Sequence, residues 1–320
     1  MKNLFYMCTE GSVISIYRQL KERGTLASEQ ETEYIKRYKE RFFQEKPAYE
    51  IEHPNKWIQG VINSYRSYFQ QVLSEQEEKQ VAEQQLYKQL NTFISSKSMD
   101  MEQVEEQLKD IFEKEGYFFQ GGRVTPHYGP FIWKRQTEKV YEVELPHSIQ
   151  NVKVKFLDDF LLLSWLHFAT FGQVYAGGWA EKDALYCIVP NYRDVFEKDT
   201  FLVSFLKHEA QHFDDYQAFP KLGGKDLEYR AKLIELIYYQ DHTFLEKMFV
   251  QAISNENPHN YSSYILKQEL HDYFFARDLV EREEWQSVDY PAISEYCRFL
   301  YEAHTKKLRQ FGAEHVIGVI

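Results

Sequence analysis

A predominantly helical α+β fold is what this 320-residue sequence predicts, and three features carry the expectation. Apolar residues recur at helical spacing from about residue 12 to 116 and again from about 199 onward. Between them, from Gly116 to Pro190, lie β-branched and alternating runs punctuated by Gly and Pro. The length suffices for two regions, each with its own core. An N-terminal helical region, 1–115, is expected ahead of a second domain, 116–320, divided into a mixed strand and helix part, 116–218, and an all-helical part, 219–320.

In the first region Ile14, Ile16, Tyr17 and Leu20 mark one helix, and Tyr34, Ile35, Tyr38, Phe42 and Phe43 a second. Trp57, Ile58, Val61, Ile62, Tyr65, Tyr68 and Phe69 mark a third, with Pro47 and Pro54 at the joins. Two polar helices follow between 75 and 114, and their Glu, Gln and Lys residues read as solvated faces. Past Gly116, residues 131–133, 140–145 and 152–156 read as strands. The apolar run 160–171 reads as a buried helix too short to cross a bilayer, and 184–190 as a further strand. From 201 to 216 the spacing predicts one helix, from 226 another that continues to 253, and then helices over 260–282 and 289–310.

The chemistry concentrates at His208-Glu209-Ala210-Gln211-His212, the spacing H-E-x-x-H. On a helix, residues four apart share a face about 6 Å apart along the axis, the separation at which two imidazoles can hold one metal ion. Glu209 projects about 100° away, where it reaches a water on that metal rather than the metal itself. A catalytic zinc site needs a third protein ligand and an open fourth position. After the turn at Gly223-Gly224 a second helix folds back antiparallel, so an acid in its early turns faces the histidines. Glu228 is the first choice, with Asp226 and Glu235 as rivals.

His208, Glu209 and His212, followed by Glu228-Tyr-Arg-Ala231, resemble the paired motifs of gluzincins, zinc metallopeptidases whose third ligand is a glutamate. The resemblance covers about 199–240. It implies a zincin-like catalytic region, with an upper lobe of mixed strand and helix carrying the histidines and a helical lower lobe carrying the glutamate. It further implies Zn2+ on His208, His212 and Glu228, Glu209 as general base, and a peptide or protein substrate. Ala231 would let the second helix pack closely on the first. In such enzymes the strand beside the cleft is an exposed edge to which an extended peptide adds, and 181–190 is expected in that place. A donor to the oxyanion usually comes from a Tyr or His of the helical lobe. The candidates are Tyr261, Tyr264, His271 and Tyr273, with Tyr229 and His242 behind them. Asp215, one turn past His212 on its face, is a candidate to accept that ring's free N–H. The metzincin continuation is disfavoured, since Asp215 and Ala218 stand where it needs Gly and His.

The remaining features narrow the class. A net charge of −11 argues against nucleic acid or an anionic membrane as the main partner. Three scattered cysteines, Cys8, Cys187 and Cys297, suggest a reducing compartment. The apolar stretch near Met1 is too short for a secretory core, and no run is long enough for a membrane span, so a cytoplasmic protein is expected. His53, His127, His147, His167, His259, His304 and His315 have no partner at ligand spacing and are read as structural or surface residues. The alternative to a peptidase is a non-catalytic zinc-binding or helical interaction protein, distinguished by a closed fourth coordination position.

Overall fold

Three helices of the N-terminal part begin where the sequence supplies a capping side chain, at Ser28, Asn55 and Asp100. In a computed structural model that describes residues 2–23, 28–45, 48–95, 100–181, 183–277 and 280–320, short helices α1 (Lys2–Phe5) and α2 (Ile14–Glu22) precede α3 (Glu29–Tyr38). Ser28 accepts the amide of Glu31, whose carboxylate accepts the amide of Ser28, a reciprocal cap. α3 runs into a π-helical turn, Lys39–Phe43, and α4 (Lys56–Leu73) starts at Asn55, whose side chain accepts from Trp57 and Ile58. α5 (Lys79–Asn91) and α6 (Met101–Lys114, capped by Asp100) complete the helical series as its periodicity predicted. The expected join at Pro47 lies outside the described residues, as do residue 182 of the stretch 181–190 and residues 278–279 of the expected helix 260–282.

Strands β1 (Phe118–Gln120), β2 (Arg123–Val124), β3 (His127–Tyr128), β4 (Phe131–Glu144) and β5 (Ile149–Leu163) follow, then α7 (Ser164–Ala169). Two of the expected strands are thus one, since 131–133 and all of 140–145 but Leu145 lie within β4. The expected helix 160–171 is also corrected: 160–163 finishes β5, and only 164–169 is helical. A run this uniformly apolar has no periodicity to tell strand from helix. The change occurs at Ser164, whose φ of 61° turns the chain.

Contacts divide the chain into two units, 1–136 with 157–176 and 137–156 with 177–320, so the expected boundary at 115/116 does not separate them. The reason lies in the first core. Phe119, Ile132, Leu162, Trp165 and Phe168 are buried in the same cluster as Tyr38, Tyr65 and Phe112 of the helices. The helices bury their apolar faces against these residues of the strands and of α7.

In the second unit come β6 (Gly178–Ala180), β7 (Leu185–Ile188), α8 (Asp199–Phe201), a π-helical stretch Leu202–Lys207, α9 (His208–Ala218) and α10 (Gly224–Tyr238). α11 (His242–Val250), α12 (Pro258–Phe275), α13 (Arg282–Ser287) and α14 (Tyr290–Phe311) follow. The expected helix 201–216 is therefore built of three pieces. The expected continuation to 253 breaks after Tyr238, where Asp241 caps α11 by accepting from Thr243. α13, started by a reciprocal cap between Glu281 and Glu284, was not anticipated.

Strand order is β1-β4-β5-β7-β6, and β6 pairs antiparallel with β7. The edge is therefore β6, and the 184–190 strand expected there is interior. Glu181 N donates to Ala184 O and Ile188 N to Gly177 O, both at 2.9 Å. Alternation along the antiparallel pair then turns the main-chain groups of Gly178 and Ala180 toward the open edge. The fold is mixed α+β and predominantly helical. No helix among the described residues is long and apolar enough to cross a membrane.

Candidate metal centre

Regular α-helical geometry resumes at His208, immediately after the π-helical stretch, so His208 and His212 present their rings on one buried face. Their Nε2 atoms are 3.2 Å apart. Two facing nitrogen lone pairs at that distance repel unless a proton or a cation lies between them. The turn after α9 returns α10 alongside it, and Glu228 comes to the same place. Its Oε1 is 3.4 Å from Nε2 of His212 and its Oε2 3.6 Å from Nε2 of His208. In a tetrahedral zinc site with bonds of about 2.0–2.2 Å, neighbouring ligand atoms are about 3.3–3.5 Å apart. The three separations bracket that value.

Oε2 of Glu228 and Nδ1 of both histidines are buried without an aligned hydrogen bond, although buried polar groups usually find one. His208, His212 and Glu228 are the group among the described residues whose ligand atoms could hold a metal ion.

Two further side chains close in. Oε2 of Glu235 is 3.2 Å from Nδ1 of His208, off the line of its N–H, so Glu235 sits behind the ring rather than on its Nε2 side. As a rival third ligand it is thereby replaced by an outer partner of His208. Nδ1 of His259 is 2.7 Å from Oε2 of Glu228. His259 stands in the first turn of α12, where Asn257 caps by accepting from His259 and Asn260. Its sequence surroundings carry only the cap signal, and its pairing with Glu228, 31 residues away, depends on α10 and α12 packing together.

Glu209 makes no hydrogen bond or ion pair with another described residue. Burial raises its pKa, an effect opposed by the nearby His208 and His212. Burial acts the same way on Glu228, but His259 and His212 outweigh it and hold that carboxyl well below the usual range. His208 is disfavoured as a cation by burial, yet Glu235, Glu228 and Glu209 together push it up to about 9. In the absence of a cation the cluster thus holds its positive charge on imidazole, a charge that a metal ion would replace.

The other expected site residues lie elsewhere. Asp226 accepts from Nε2 of His304 at 3.0 Å and from the amide of Val319 at 2.9 Å, which removes it as a ligand. Asp215 does not meet His212; both its oxygens accept from Nε of Arg230, at 2.8 and 2.9 Å. Arg230 also donates to Thr305 and Tyr301, and Tyr301 to Gln211, which ties α9 to α10 and α14. Tyr229 donates to Glu269 at 2.7 Å. Tyr261 lies under Lys225, Tyr264 accepts from Gln268, and Tyr273 stacks on Tyr296. His271 packs between Phe249 and Trp285, and His242 meets the carbonyl of Val288. None of these contacts brings them to the cluster. Of the later helices, α12 reaches the cluster through His259 and its contact with Glu228.

No protein-family profile, curated protein or solved structure matches the chain.

Proposed function

We propose that the chain is a zinc-dependent peptidase in which His208, His212 and Glu228 hold the metal and Glu209 is the general base. The observation that carries this reading is the convergence of the three side chains: the two Nε2 atoms are 3.2 Å apart, and Oε1 and Oε2 of Glu228 lie 3.4 Å from that of His212 and 3.6 Å from that of His208. A bound zinc ion would bring the pKa of its water toward about 7 and polarise a carbonyl. Glu209, free of competing hydrogen bonds, takes the proton of the attacking water and returns it to the leaving amine. Glu235 fixes the orientation of His208, and His259 holds the outer oxygen of Glu228, leaving Oε1 for the metal. The zincin-like division follows the same lines, with β6, β7 and α9 as the upper lobe and α10 to α14 as the lower.

β6 supports a peptide substrate in particular. It is an edge strand beside α9, and its outward groups at Gly178 and Ala180 can pair with an extended chain. Any Cβ at position 178 would come within 2.1 Å of the Tyr186 carbonyl, so glycine keeps this edge flat against β7.

Metal analysis and hydrolysis assays on wild type, His208→Ala and Glu209→Gln test the reading. The expected result is one zinc per chain, lost in His208→Ala and kept in Glu209→Gln, with casein or peptide-library cleavage falling by at least about a thousandfold in both. Retained zinc without any Glu209-dependent cleavage would overturn it.

A further inference from the structure

The first unit carries a group of cations that no carboxylate among the described residues neutralises. Arg37 lies near the end of α3, Arg41 in the π-helical turn after it, and Arg66 on α4. The guanidinium of Arg37 is 4.2 Å from the centre of the Phe171 ring, and that of Arg41 is also 4.2 Å from it. Arg41 is 4.7 Å from Phe168, whose ring Arg66 approaches at 5.3 Å. Three cations are thus linked through two shared rings. Burial and the neighbouring arginines push Arg41 down to about 10, and burial with Arg41 and Arg66 holds His167 down to about 4.

Hydrogen-bond accounting leaves the donors unspent. Arg41 gives one N–H to the carbonyl of Phe168 at 2.7 Å. Among the described residues Arg37 and Arg66 give none, and Nε of Arg66 is buried without a partner. Carboxylates are not scarce, since the chain has 49 Asp and Glu against 38 Lys and Arg, yet among the described residues none pairs with these three. Stacking on the rings attracts each cation but cancels none of their mutual repulsion. It occupies the flat faces and leaves the N–H edges for an acceptor. Phe171 reaches its place with a φ of 54°, a backbone region costly for an aromatic residue. Thr170 anchors the loop through the amide of Val174 at 3.0 Å.

We propose that Arg37, Arg41 and Arg66 form a binding site for an anion with more than one phosphoryl group. The planar guanidinium fork matches phosphate oxygens, and three separate forks suit linked phosphates better than a single small anion. The source is either free pyrophosphate or a nucleoside triphosphate.

Calorimetric titration of the full chain with pyrophosphate and with ATP, at fixed ionic strength and without divalent ions, tests this. Binding with a Kd below about 1 mM is expected, weakened at least about tenfold in Arg41→Gln, Arg66→Gln and Arg37→Gln. It should persist in Arg135→Gln, an arginine already paired with Asp158 and Asp159, and in His208→Ala, which lacks the proposed metal site. Tighter binding of ATP than of pyrophosphate assigns the nucleotide, and equal binding assigns the phosphates alone. Circular dichroism identifies the variants that fold, and Arg37→Gln, on a half-exposed helix position, decides the matter if the other two do not. No binding at 10 mM, or equal binding by every folded variant, would overturn the proposal.

Discussion

Glu235 lies behind His208, 3.2 Å from Nδ1, while Nε2 of the same ring faces His212 and Glu228. The carboxylate therefore favours the tautomer whose Nε2 lone pair is turned toward the cluster. Glu235→Ala should weaken zinc binding by about 10- to 100-fold, and Glu235→Gln, which keeps an acceptor, by less. Competition against a chelator of known affinity measures both. Equal affinity in wild type and Glu235→Ala would mean that the contact does not orient the ring.

The buried pair of Asp215 and Arg230 gives a stability prediction. Both side chains are almost wholly removed from solvent, and Arg230 also serves Tyr301 and Thr305. Removing one partner leaves a buried charge uncompensated, so Asp215→Asn or Arg230→Met should cost about 3–5 kcal/mol. The double variant should cost less than the sum of the two, because neither charge is left alone. Urea denaturation of the four proteins reads the cycle.

What was legible in the sequence follows the range of the interactions. The H-E-x-x-H face and Glu228 were readable because helical periodicity and one short turn dictate both. The partner of Asp215 is not legible in the same way, because the helix dictates its face but not its competitor: Arg230, 15 residues on, attracts a carboxylate more strongly than a neutral ring N–H does. The place of His259 is hidden for the same reason, since only the packing of α12 against α10 brings it to Glu228. The β6 edge was placed one strand away, at 184–190, because three residues containing a Gly carry too little alternation to register as a strand.

His167 predicts the acid limit of the first unit. Burial, Arg41 and Arg66 depress its pKa from 6.5 to about 4, and the ring of Tyr175 packs at its edge. The folded state therefore binds fewer protons than the unfolded state between these values, and stability falls as pH drops from about 6.5 to 4. The loss approaches about 3 kcal/mol at its limit. His167→Gln should flatten that part of the stability profile, measured by denaturant midpoints at pH 7, 5.5 and 4.5. An unchanged slope would place the proton uptake on other groups.

A substitution on the edge of β6 tests the proposed substrate binding apart from the proposed metal binding. Proline at position 180 removes an N–H that points away from β7, so the ladder inside the sheet keeps its bonds. Trp179, the residue before it, is already in a strand, the conformation that proline demands of its predecessor. Ala180→Pro should therefore keep its zinc and its fold while kcat/KM for extended peptides falls by about 10-fold or more, through the loss of one main-chain hydrogen bond and of the bond register it sets. A small ester, which has no strand to pair, should be cleaved as by wild type. If Ala180→Pro slowed ester and peptide equally, the substitution would have disturbed α9 and its histidines, and β6 would have no separate part in substrate binding.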